Sequence, residues 1–187
     1  VMQAKFDGSP VLKPSQYRLV NQRADAQSIE QARALLAGAK APVLLLGQGC
    51  FVSRSHDLVT ELASKLQCPI LQTNAVEAVL PGMEDRTFPY SSEVGGEIAG
   101  QSDVVLAIGT ELGEALNYGR GHSWKPGNEN RKWIYVERDP MAIGVNRPID
   151  VPLVGDLRDI VPQLNEALAG VSRTLQSEVG GWRDRRD

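Results

Sequence analysis

Two glycines flank one residue at Gly47-Gln48-Gly49, where the apolar run Ala41 to Leu46 ends. A strand running into such a turn can bring backbone N–H groups up to a nucleotide phosphate beside the next helix. The second candidate feature is acidic. Glu137 and Asp139 alternate around Arg138 in "YVERDP", so both carboxylates project the same way, and either could accept from a ribose hydroxyl. Two further apolar runs end in glycine, "DVVLAIGT" at Gly109-Thr110 and "VPLVGD" at Gly155-Asp156.

The dinucleotide fingerprint asks for more than these residues supply. It needs a third glycine for helix packing and an acid at the end of the second strand for the ribose. Val52 stands at the third position and the second strand ends in Thr73-Asn74, which disfavours standard NAD binding at this turn. No Lys-Ser/Thr pair follows the glycines, so a Walker-type phosphate loop is excluded. A purely structural reading stays open beside the phosphate one, because glycines let a chain turn without a left-handed penalty. The two acids can equally cap the following turn or pair with Arg138 or Arg147.

Other chemistry finds little support. His56 and His122 lack metal-ligand spacing and there is no CxxC, so a zinc site is not expected. No G-x-S-x-G elbow occurs, which argues against a hydrolytic triad. Trp124, Trp133 and Trp182 read as packing anchors, since no basic groove accompanies them. Nothing resembles a self-sufficient active site.

The 187 residues carry a formal net charge of −3, which gives no general attraction to nucleic acid or anionic lipid. The basic cluster "RDRR", Arg183 to Arg186, holds an acid within it and reads as a solvated tail. Cys50 and Cys68 fall in apolar segments, as reduced, buried thiols of a cytosolic protein would. The polar start "VMQAKFDGSP" lacks the apolar core of a secretory signal. No apolar run approaches the ~20 residues that span a bilayer. The expectation is a soluble, cytoplasmic protein.

Alternating strands and helices must position the candidates. Residues 1–24 read as an extended lead-in, and 25–170 as one domain. Its first helix is expected to start at a Ser28/Gln31 capping box, bury Ile29, Ala32 and Leu36, and end at a left-handed Gly38. Strands follow at Val43–Leu46, Pro69–Gln72, Asp103–Thr110, Lys132–Pro140 and Val151–Val154, with a sixth hidden in 86–92. Between the first two lies a helix burying Leu58, Val59, Leu62, Ala63 and Leu66. Residues 74–100 suggest loops around short helical pieces. The last helix buries Ile160, Val161, Leu164 and Leu168, with Pro162 delaying its regular start. Residues 171–187, with "GGW", read as a linker leading elsewhere. The pattern predicts an α/β fold: a doubly wound, mostly parallel sheet of five or six strands with helices on both faces, Rossmann-like. Ligands of such sheets bind beyond the carboxyl ends of strands.

Five segments in order, "AKAPVLLLGQG", "LASKLQCPILQT", "SDVVLAIGTEL", and "WIYVERDP" leading to "IDVPLVGDLRDIVPQLNEAL", resemble the central domain of the thiamine diphosphate-dependent decarboxylase and carboligase family. Acetolactate synthase, pyruvate oxidase and oxalyl-CoA decarboxylase belong to it. The resemblance covers roughly residues 10–170. It implies a middle domain whose partners are the pyrimidine- and diphosphate-binding domains of the same parent chain. Those domains would hold thiamine diphosphate and magnesium, and the parent would be a homodimer or homotetramer acting on 2-oxo acids or related acyl substrates. Some relatives bind FAD or ADP in this domain. By resemblance, phosphates would lie by Gly47 and Gly49, with other contacts from Gly109 and Thr110. The adenosine end would approach Glu137 and Asp139, with Gly155 and Asp156 nearby.

The chain departs from the flavin-binding members. No Gly-Met-His-Gly-like loop occurs between Pro81 and Asp103, where "SSEVGG" stands. After Thr110 come Glu111 and Glu114, which would repel a diphosphate at short range. The leading expectation is an architectural domain without a catalytic residue. A FAD- or ADP-binding regulatory module is the alternative, and an NAD-dependent deacylase-like protein a weaker one.

Overall fold

Apolar runs without alternation fit strands covered on both faces, and this is where they fall in the computed structural model of the chain. It describes residues 8, 10, 12–17, 19, 21–73, 80–124 and 130–186. The strands are β1 (Pro42–Leu46), β2 (Ile70–Gln72), β3 (Thr87–Pro89), β4 (Val104–Ile108), β5 (Lys132–Glu137) and β6 (Val151–Val154). They form one sheet in the order β3-β2-β1-β4-β5-β6, parallel at every pairing. All residues of β1 and β4 are buried, and Leu44 sits between Ile70 and Leu106.

Alternation along the strands divides the core into two layers. Leu44, Leu46, Leu106, Ile108, Ile134 and Val136 face one layer. It is closed by α1 (Ala26–Gly38), α3 (His56–Leu66) and α5 (Leu157–Ala167) through residues such as Leu36, Leu62 and Leu164. Val43, Leu45, Val105, Ala107, Trp133 and Tyr135 face the other, under α4 (Glu93–Gln101), α6 (Glu178–Arg186) and the Trp124 loop. A four-residue turn, α2 (Gly49–Val52), links β1 to α3. The sheet is therefore doubly wound, with helices on both faces, as the sequence predicts. Trp124, Trp133 and Trp182 are all buried, and so are the free thiols of Cys50 and Cys68. Burial pushes both thiols up to about 12.

Several local expectations give way. The first helix is capped by Asp25, whose carboxylate accepts from the Ser28 N–H at 2.9 Å and the Ser28 hydroxyl at 2.6 Å. Gly38 ends that helix without a left-handed turn, since Ala39 continues extended. Residues 93–101 form a regular nine-residue helix, started by Ser92, whose hydroxyl accepts from Gly95 N–H. Asn74 and the segment 74–79 lie outside the described residues. The sixth strand is present at Thr87–Pro89, inside the window that sequence allows. α5 begins at Leu157, capped by Asp156, and Pro162 lies within it. Its missing N–H frees only the carbonyl of Arg158, an exposed residue that water can reach.

Both flanking segments dock. The lead-in lies along the β6 side. Gln22 accepts from Asp156 N–H at 3.0 Å, and Ala24 exchanges two hydrogen bonds with the Gln163 amide. The segment after Gly170 returns to the domain instead of leading away. Arg173 donates to the carbonyls of Leu36, Ala39 and Leu66 at 2.9–3.1 Å, closing the ends of α1 and α3 together. In α6, Trp182 meets Phe88 of β3 edge-on, and its indole N–H donates to Glu97 at 3.1 Å. The expected solvated tail is thus partly anchored, with Arg185 paired to Glu97 at 2.6 Å. On the same side, the buried Arg131 donates to the carbonyls of Ala99, Gly100, Ser102 and Trp124. Among the described residues no helix is long and apolar enough to cross a membrane.

Candidate functional site

In an open parallel sheet the crossovers leave in opposite directions on either side of one strand pair, and a crevice opens there. Here that pair is β1 and β4. Beyond their carboxyl ends lies a cleft of about 760 Å³. Six of the eight candidate residues line it: Gly49, Gly109, Thr110, Glu137, Gly155 and Asp156. Two do not. Gly47 is packed against Gly109 and Thr110, and Asp139 lines a neighbouring cleft of about 250 Å³.

The glycine turn is built for contact between two loops. A methyl group at Gly47 would collide with the carbonyl of Gly109 and with Cα and Cβ of Thr110. At Gly49 it would lie 2.7 Å from Gly109 Cα. The amides of Gly47 and of residues 49–52 are committed inside the protein. Gly49 N–H donates to Gly109 O at 2.8 Å, Cys50 N–H to Gly47 O at 3.3 Å, and those of Phe51 and Val52 to Gln48 O at 3.0 and 3.1 Å. A diphosphate needs such donors free, and α2 is a single turn with little dipole of its own. The turn does not fit the diphosphate of FAD or ADP.

The β5 exit is equally self-satisfied. One oxygen of Glu137 accepts from Arg138 N–H at 2.6 Å and Asp139 N–H at 2.9 Å, and the other from the Tyr135 hydroxyl at 2.9 Å. Asp139 accepts from Met141 N–H at 2.9 Å. The two acids cap their own turn, one of the readings that sequence leaves open. Tyr135 also contacts the carbonyl of Thr110 at 3.0 Å, tying the β5 floor to the β4 rim. Burial, and then the Glu137 carboxylate, drive its phenol well above the ordinary tyrosine range. At β6, Gly155 leaves room for Gln22 O, and Asp156 caps α5 by accepting from Arg158 N–H at 2.9 Å.

Arg138 and Arg158 also line the cleft, and the candidate set from sequence omits both. The only sequence signal for Arg138 is its place between two acids, which suggests an ion pair. Among the described residues neither arginine forms one. Among those residues, too, no three His, Cys, Asp or Glu side chains gather as metal ligands. They do not supply a magnesium–diphosphate centre. What the cleft offers is binding chemistry: two guanidinium groups, three carboxylates and an apolar floor.

Comparison with known proteins follows the same lines. The model of one family, described as "Thiamine pyrophosphate enzyme, central domain", matches residues 29–164. The chain belongs to this family. The central domain is similar to oxalyl-CoA decarboxylase of Escherichia coli (strain K12), 30% identical over 159 residues, covering 84% of this chain and 26% of that protein. It is 27% identical over 167 residues to acetolactate synthase of Mycobacterium bovis, covering 87% and 26% of the two chains. A 2-hydroxyacyl-CoA lyase of Oryza sativa subsp. japonica is 30% identical over 143 residues, covering 76% and 23%. A solved structure assigned as a thiamin diphosphate-dependent enzyme from Mycobacterium smegmatis superposes with a TM-score of 0.62 at 24% identity, over 90% of this chain and 32% of that one, and supports the fold. The chain thus spans about a quarter of the length of the curated relatives it matches. The family is thiamine diphosphate-dependent, its members are multidomain, and neither the FAD- or ADP-module alternative nor the deacylase-like one is favoured.

Proposed function

We propose that this central domain is an architectural unit of a cytoplasmic thiamine diphosphate-dependent enzyme that acts on 2-oxo acids or related acyl substrates. Flanking pyrimidine- and diphosphate-binding domains of the parent chain would hold thiamine diphosphate and magnesium, in a homodimer or homotetramer. The domain's part is to orient them. The commitment of the residue 49–52 amides to the domain's own carbonyls carries this reading, because it takes away the grip on a diphosphate.

The rival reading, a regulatory module for FAD or ADP, has a cleft of sufficient volume at the β1–β4 switch but is not favoured, because the glycine turn does not fit a diphosphate. A single set of measurements separates them. Turnover of 2-oxo acids is expected from the parent chain with thiamine diphosphate and magnesium, and none from the 187-residue chain. That chain is expected to be colourless and to show no thermal shift with FAD. Turnover by the isolated chain defeats the first reading, and bound yellow flavin establishes the second.

A further inference from the structure

The two rims of the large cleft differ in what they leave available. On the β1 side of the β1–β4 rim the amides of Gly47 and residues 49–52 are committed, and on its β4 side Glu111 enters the lining. On the β5–β6 rim the pairing of Glu137 with Val154 sets Arg138 beside the turn that carries Arg158. Both arginines are exposed, both line the cleft, and among the described residues both lack an ion pair. Two of the three acids in the lining do not neutralise them. Asp156 is turned to Arg158 N–H, and Glu137 to two amides and a phenol.

We propose that this cleft takes a nucleotide whose ribose bears a phosphate monoester, held between Arg138 and Arg158 at the β5–β6 rim. Guanidinium groups match phosphate oxygens in pairs, and a dianion carries the charge that balances two cations on one rim. An acid at the strand end suits a bare ribose diol, whereas an arginine beside it accommodates a ribose phosphate. Here the acid is already engaged by three donors and the arginine is available. Glu137 keeps lone pairs for the remaining ribose hydroxyl. A volume of about 760 Å³ is ample for a nucleotide. A 5′-diphosphate directed at Gly47 and Gly49 would instead meet committed amides and Glu111. This inference goes beyond the architectural role and makes the cleft a selective binding site.

The test is calorimetric titration of the 187-residue chain with adenosine 3′,5′-bisphosphate, adenosine 2′,5′-bisphosphate, AMP and ADP. At least one bisphosphate is expected to bind about tenfold tighter than AMP, with ADP within about threefold of AMP. Which isomer wins assigns the phosphate to the 2′ or the 3′ position. Arg138→Ala and Arg158→Ala are each expected to lose about tenfold for that bisphosphate with AMP unchanged, while Arg138→Lys loses less. Circular dichroism melts check that the variants, altered only at exposed side chains, remain folded. Bisphosphates no tighter than AMP, ADP tighter than both, no binding by any probe, or equal losses for AMP and bisphosphate each overturn the proposal. No turnover is measured, so a wrong assignment of the parent's reaction leaves the outcome unaffected.

Discussion

Gly49 donates its N–H to the carbonyl of Gly109 at 2.8 Å, and Gly109 holds a left-handed φ of +61° to receive it. This contact joins the loops after β1 and β4 across the switch in strand order. The atoms that crowd a side chain at either Gly47 or Gly49 are mostly backbone, which cannot swing aside. Gly47→Ala and Gly49→Ala are each expected to destabilise the chain by roughly 1–3 kcal/mol or more. A drop in the urea midpoint at constant slope measures this, and an unchanged midpoint would refute the contact.

Arg173 fastens the ends of two helices with one planar group. Arg173→Ala leaves part-buried carbonyls of Leu36, Ala39 and Leu66 without their donor. The loss is expected to be roughly 2–3 kcal/mol, read from chemical denaturation. Arg173→Lys keeps the charge but not the fork, and an intermediate stability is the expected result.

The hold of α6 on α4 is expected to depend on pH. The Trp182 indole and then Arg185 hold the Glu97 carboxyl below its ordinary value of 4.5. A carboxylate with a depressed folded-state value stabilises fully above that ordinary value, and the contribution fades as pH falls below it. The Glu97 side chain is 34% exposed and solvent screens the pair, so the effect is small and confined to α6. Trp182 fluorescence should report loosening of the helix below about pH 4.5, and Glu97→Gln should abolish the transition while leaving the rest of the melt intact.

Buried thiols at about 12 are almost wholly protonated at neutral pH. Ellman's reagent at pH 8 is expected to label neither cysteine in the folded chain and both after denaturation. Prompt labelling of Cys50, which stands beside the cleft turn, would show that the turn opens readily.

What sequence reveals here follows from how each element is stabilised. β1, β4 and β5 are covered on both sides, so each appears as an unbroken apolar run, and α3 and α5 show their stripes for the same reason. β3 spans three residues, too few for any period, and owes its place to pairing with β2. α6 is polar and carries Gly180 and Gly181, so only contact with Phe88 and Glu97 reveals it. The clamps at Arg131 and Arg173 act on main-chain carbonyls, which leave no mark in the order of side chains. The site was legible as a set of strand ends. Which oxygens and amides stayed available was not, because their partners are set by the folding of each turn on itself and, for Gly49, by the loop after β4.

The anchoring of the two flanking segments has a geometric consequence. One is fixed beside β6 and the other beside β3, at opposite margins of the sheet. Neighbouring strands are each rotated by about 20–25°, so five successive steps accumulate on the order of 100–125°. The β6 and β3 margins to which the two segments are anchored are therefore turned against each other by more than a right angle, at a setting fixed by the hydrogen-bonded ladder itself.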